Sequence, residues 1–172
     1  TTVMAAQARL RTALGLPPTP GEDDPQTQAM IRGMVEGLAA RLEQTPDDLA
    51  GWQRLARARE VLGESEAAIA AHRQIVRLAP QSVDALLGLA RVLFPPSATL
   101  AGPVPPEFYA LMRRVLALDP NQPEALWFAG LDAAQQGNKP EALAHWRHLL
   151  ALLPNDAPPR QQLLQEIERL QP

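Results

Sequence analysis

The sequence predicts an all-α fold, a right-handed solenoid of stacked helix pairs closed by a C-terminal capping helix, and three observations carry that expectation. Pro46, Pro80, Pro120 and Pro154 stand 34, 40 and 34 residues apart, and a period near 34 that ends each time in proline marks an array of helix-turn-helix units. The residues between those prolines repeat in register. Trp52, Leu55, Ala56, Arg59, Gly63, Ala68, His72 and Pro80 return in the last unit as Leu126, Ala129, Gly130, Ala133, Gly137, Ala142, Trp146 and Pro154. The composition is 46% apolar but only 4% aromatic, which suits thin Ala/Leu-packed helices better than a strand-rich core.

The elements follow in order. Val3, Ala6, Leu10, Ala13 and Leu14 fall at helical spacing and predict a short amphipathic helix, followed by a Pro-rich acidic linker that closes residues 1–25. A leading helix over 26–45 carries Ile31, Met34, Val35, Leu38 and Leu42 on one face and stops at Thr45-Pro46. It has the place in the period of the second helix of a degenerate upstream unit. The repeats then occupy 49–80, 83–120 and 123–154, the tetratricopeptide spacing W-x2-L-G-x2-Y, A-x3-F and P, with substitutions. The first turns at Leu62-Gly63-Glu64, and Ala56 and Ala68 mark a close approach of its two helices. In the middle repeat Pro95-Pro96 stops the first helix, and an inserted loop over 95–106 lengthens the period before a second helix resumes near Glu107. Such insertions often border a binding face, although chain length in a loop costs little. Pro158-Pro159 then starts a capping helix over 159–170, with Leu163, Leu164, Ile167 and Leu170 on its apolar face.

Several function classes are disfavoured. A net charge of −3 and a pI near 5.6 leave no basic stripe for phosphates, so no nucleic-acid partner is expected. The absence of cysteine removes disulfide and thiolate chemistry. No apolar run is long enough to span a bilayer, so this stretch is expected to make no membrane contact. The start at Thr1-Thr2-Val3 reads as a piece or processed product of a longer protein. His145 and His148 lie three apart, but they and His72 lack a third ligand in a metal pattern, and no metal or other cofactor is expected. Ser65, Ser82 and Ser97 stand outside any nucleophile-elbow context, and no phosphate loop or HExxH occurs. The chain reads as a binder rather than an enzyme.

Binding is expected in the groove that solenoids of this type build from the first helices of their pairs. The stripe one residue after the signature positions is Gln53, Arg57 and Glu60 in the first repeat. It becomes Leu87, Arg91 and Phe94 in the middle one and Trp127, Leu131, Ala134 and Gln135 in the last. These ten residues predict a peptide site that grades from charged to apolar. An exposed apolar stretch of that kind calls for a cover, and an amphipathic helix anchored at i, i+3 or i+4 and i+7 fits it. The internal alternative is that Trp127 packs beneath the C-terminal cap or the middle loop.

Three longer words narrow the reading. Met34-Val35-Glu36-Gly37-Leu38-Ala39-Ala40-Arg41-Leu42-Glu43 with Pro46-Asp47-Asp48-Leu49-Ala50-Gly51-Trp52 resembles the start of the tetratricopeptide domain of the bacterial cytochrome c biogenesis factors CcmI and CycH. So do Leu118 to Phe128 and Trp146 to Pro154. The resemblance covers about Gln26 to Leu170 and implies a periplasmic repeat domain whose full-length protein is membrane-anchored. It implies a chaperone-like role: capture of apocytochrome c through its C-terminal helix, and delivery to the proteins of the haem-ligation complex. A cysteine-free binder suits a client that carries thiols, because it cannot form mixed disulfides with it. The competing readings are a structural adaptor bridging envelope proteins, and the regulatory repeat domain of a longer enzyme.

Overall fold

The computed structural model describes residues 25–95 and 103–171. The helix expected at Val3–Leu14, its linker up to residue 24 and the inner part of the inserted loop lie outside them. The described residues form eight α-helices and no strand. They are α1 (Pro25–Gln44), α2 (Leu49–Val61), α3 (Ser65–Leu78), α4 (Val83–Leu93), α5 (Pro106–Leu118), α6 (Pro123–Gln135), α7 (Lys139–Leu152) and α8 (Pro159–Leu170). None of these is long and apolar enough to cross a membrane.

The chain divides into two compact units, one ending at Pro46 and one running from Asp47. In the first, α1 buries Val35 and Leu42, while Met30 and Met34 stay mostly exposed, at 60% and 61%. The second unit is an all-α solenoid in which each helix packs on the next in sequence, from α2 to α8. Its helices are started by side chains. Asp48, Ser82, Gln122 and Asn138 each accept from the backbone N–H three residues on, at 2.8, 3.2, 2.7 and 3.4 Å, which satisfies donors that the first helical turn leaves unpaired. Within the first and last pairs the turn is made by Gly63 and Gly137, at φ 72° and 76°, a left-handed conformation that side chains with a Cβ resist.

Pairing within a repeat rests on small residues facing large ones. Ala56, Ala90 and Gly130 are all buried on the first helices. At the matching position of the second helices stand His72, Met112 and Trp146. The largest ring faces the smallest residue, for a Cβ added at Gly130 would meet Trp146 Nε1 at 2.1 Å. Ala68 and Ala142 are likewise buried at corresponding positions, where the middle repeat has Phe108, also buried. Phe108 packs edge-on against Phe94 and Phe128, with ring centroids at 5.4 and 4.6 Å. Phe94 and Phe108 are the two stems of the inserted loop, so this aromatic contact holds its ends together and lets the loop lengthen without opening the helix pair.

The second helices of the first two repeats are strapped together by polar contacts. The Arg73 guanidinium on α3 donates twice to Glu107 on α5, at 3.2 and 2.7 Å, and Arg114 donates to the Pro80 carbonyl at 3.1 Å. The hydrogen bond from Arg73 holds the Glu107 carboxyl below its ordinary value of 4.5 and raises Arg73 in turn. A carboxylate held low in the folded state stabilises it above the unfolded pKa, and that contribution is lost as pH falls through the folded value. Both side chains are more than a third exposed, so the pair contributes less than about 1 kcal/mol. Glu107→Gln should lower stability by that amount at pH 7, and urea titrations should show the difference from the wild type closing below pH 4.5.

The last helix is fastened by charge as well as packing. Arg160 at the start of α8 donates to the Leu150 and Leu153 carbonyls at 2.9 and 3.3 Å, capping the C-terminal end of α7. Leu163 and Ile167 complete a cluster with Leu126, Trp146 and Leu149, which closes the end of the array.

Candidate peptide-binding groove

The stripe is built on α2, α4 and α6. On α2, Gln53, Arg57 and Glu60 are all exposed. Glu60 is already engaged, accepting from His72 Nε2 on α3 at 2.6 Å; a carboxylate only accepts, so Nε2 carries the proton. This leaves His72 Nδ1 buried without a partner, its ring pressed against Gly88 of α4 at a distance where an added Cβ would stand 3.1 Å from Cε1.

On α4 the expectation fails in part. Leu87 is buried, at 6% exposure, and does not belong to an open floor. On this helix the offset of one residue does not bring the side chain into the open. α4 packs on both α3 and α5, and Ala85, Leu86, Leu87, Leu89 and Ala90 are all buried. Phe94 is half-buried and edge-packed on Phe108 and Phe128, the latter at 6.3 Å, so it is a member of the aromatic cluster and not a bare surface. Arg91 remains exposed, and its Nη2 lies 3.3 Å from Glu124 of α6. That pair joins the first helices of neighbouring repeats.

On α6, Trp127, Leu131 and Ala134 are half-buried and packed against the C-terminal apolar cluster. The Trp127 ring stacks on Trp146 at 5.7 Å with 27° between planes, and its carbonyl accepts from Trp146 Nε1 at 3.1 Å. The internal role weighed for Trp127 is therefore partly real. Its ring is supported from below by the core and retains accessible surface. Gln135 is exposed and accepts from the Tyr109 hydroxyl at 3.2 Å. Burial, ahead of the nearby Asp132 charge, pushes the Tyr109 phenol above its ordinary value, so it stays a neutral donor. Arg113 binds Asp132 at 2.8 Å beside it.

The remaining histidines go to separate partners: His148 Nε2 lies 2.9 Å from Asn121 Oδ1 and His145 lies 3.8 Å from Glu141. Among the described residues no group of three His, Asp or Glu could hold a metal ion. Ser82 is a helix cap. Sequence reasoning missed Glu124, the acid that pairs with Arg91, and Arg54, which lies three residues before Arg57 and is exposed with it. Spacing alone was a usable signal for Arg54, since residues three apart share a helix face.

With that geometry in place the relatives become informative. Residues 18–160 match the model of the cytochrome c-type biogenesis protein H TPR domain. The cytochrome c-type biogenesis protein CycH of Bradyrhizobium diazoefficiens is 34% identical over 128 residues, covering 74% of this chain and 34% of that protein. CcmH of Escherichia coli is 30% identical over 135 residues, covering 76% and 37%. The chain thus spans about a third of the length of the curated relatives it matches. Among solved structures it is similar in fold to MamA, with a TM-score of 0.56 at 17% identity over 84% of this chain and 74% of that one. The chain belongs to the family of TPR domains of cytochrome c-type biogenesis protein H.

Proposed function

We propose that this chain is a binding module of c-type cytochrome maturation that holds the C-terminal helix of an apocytochrome c along the α2–α4–α6 stripe. In this reading it acts in the periplasm, as part of a membrane-anchored protein, and passes its guest to the haem-ligation complex. The names of its relatives support the pathway. The observation that carries the mode of binding is the change in character along one register. The stripe is polar and exposed on α2, but on α6 it presents Trp127, Leu131 and Ala134, half-buried over a packed cluster. A guest helix gains there by covering apolar surface already held rigid, so little ordering is needed at the site. Burial of Leu87 confines that apolar seat to the C-terminal repeat.

Calorimetry against synthetic C-terminal helices of c-type cytochromes, with scrambled controls, tests the reading. The helices should bind with micromolar affinity, about −8 kcal/mol, and the controls should not. Trp127→Ala should weaken binding by about 2 kcal/mol, as central aromatic anchors do. It should also lower thermal stability, because the ring stacks on Trp146. The affinity is therefore to be compared at a temperature where both proteins are folded. Equal binding of native and scrambled helices would dismiss the proposal.

A further inference from the structure

We propose that the polar end of this stripe is an acceptor for acidic side chains, Arg54 and Arg57 taking the carboxylates of a guest helix whose apolar end lies at Trp127. The inference rests on the peptide-binding reading and adds to it the charge and the direction of the guest.

The two arginines are exposed and three residues apart on α2, hence neighbours on one face. Their donors are largely unspent. Arg54 uses only Nε, toward the Ala50 carbonyl at 3.3 Å, and Arg57 makes no hydrogen bond or ion pair among the described residues. Four other arginines of the array are occupied by acids. Arg59 is bound to Glu64, Arg73 to Glu107, Arg91 to Glu124 and Arg113 to Asp132.

Register makes the vacancy specific. Arg57 and Arg91 hold the same place in successive repeats, and the acid corresponding to Glu124 is Asp84. The longer Glu124 reaches Arg91 at 3.3 Å, whereas no ion pair joins the shorter Asp84 to Arg57. Glu60, the nearest acid on the same helix face, is engaged by His72. Val61 follows Arg57 by one helical turn and is 82% exposed, which offers an apolar contact beside the guanidinium. Free fork-shaped donors next to an exposed aliphatic side chain match a helix bearing Asp or Glu on its hydrophobic flank.

The test uses the whole chain and fluorescein-labelled amphipathic peptides of about 20 residues, a length that lets a helix form. All are amidated at the C-terminus and differ only in whether Glu, Gln or Lys occupies three positions at one end. At low salt the Glu peptide should bind about tenfold tighter than the Gln peptide, as two exposed ion pairs allow. Arg54→Ala/Arg57→Ala should erase that preference, and Arg54→Glu/Arg57→Glu should transfer it to the Lys peptide. A nitroxide at the acidic end should broaden the Arg57 amide signal and spare the Trp127 indole. Equal binding of Glu and Gln peptides would overturn the inference. Charge-blind binding that still depends on Trp127 overturns it alone, whereas failure of every peptide to bind overturns the peptide-binding reading with it.

Discussion

Trp146→Ala is expected to destabilise the repeat array by about 3–5 kcal/mol, the range for deleting a large ring from a packed interior. Trp146 is 1% exposed and joins three parts of the C-terminal end. It fills the space over Gly130, stacks beneath Trp127, and shares a cluster with Leu163 and Ile167 of the capping helix. Its loss leaves a cavity on all three sides and removes the indole's hydrogen bond to the Trp127 carbonyl. Urea unfolding followed by circular dichroism should show a lower midpoint. A change under 1 kcal/mol would mean that α8 and α6 collapse onto the gap, and that the cluster is less tightly fitted than the ring contacts indicate.

Gly130→Ala is the converse test, adding one methyl group where the array has no room. The new Cβ would stand 2.1, 2.4 and 2.7 Å from Nε1, Cδ1 and Cε2 of Trp146. A helix interior ordinarily gains from this exchange by about 0.5–1 kcal/mol. Here the indole must shift, which strains a close-packed ring and stretches its hydrogen bond to Trp127. The net cost should be about 3 kcal/mol. Combining it with Trp146→Leu should remove most of that penalty, since the two residues compete for one volume and their effects are not additive. Additive losses in that double variant would place the clash elsewhere.

Both sites were legible in the sequence as signature positions, because the repeat register aligns Gly130 with Ala56 and Trp146 with His72 before any coordinates are known. Helix placement was legible for the same reason: prolines, capping side chains and the two turn glycines act locally, and local chemistry survives in a linear string. The groove was less so. Whether a stripe residue is open depends on the side chains packed around it, which the register does not give: α4 buries Leu87 where the corresponding residues Gln53 and Trp127 keep accessible surface. Pairing between helices was also hidden. The sequence shows a shorter acid, Asp84, at the place of Glu124, but not that Glu124 reaches Arg91 while Arg57 is left without an ion pair. The aromatic contact that ties the stems of the inserted loop joins residues 14 apart across an irregular segment, for which periodicity carries no information.

The central claim, that a guest helix lies along the first helices of the repeats, is most directly tested by nitrogen-15 NMR of this chain titrated with a synthetic C-terminal helix of a c-type cytochrome. Shifts should concentrate at Gln53, Arg57, Arg91, Leu131, Ala134 and Gln135 and at the Trp127 indole, with α3, α5 and α7 changing little on their outer faces. Shifts confined to those second helices, or to α8, would contradict the account.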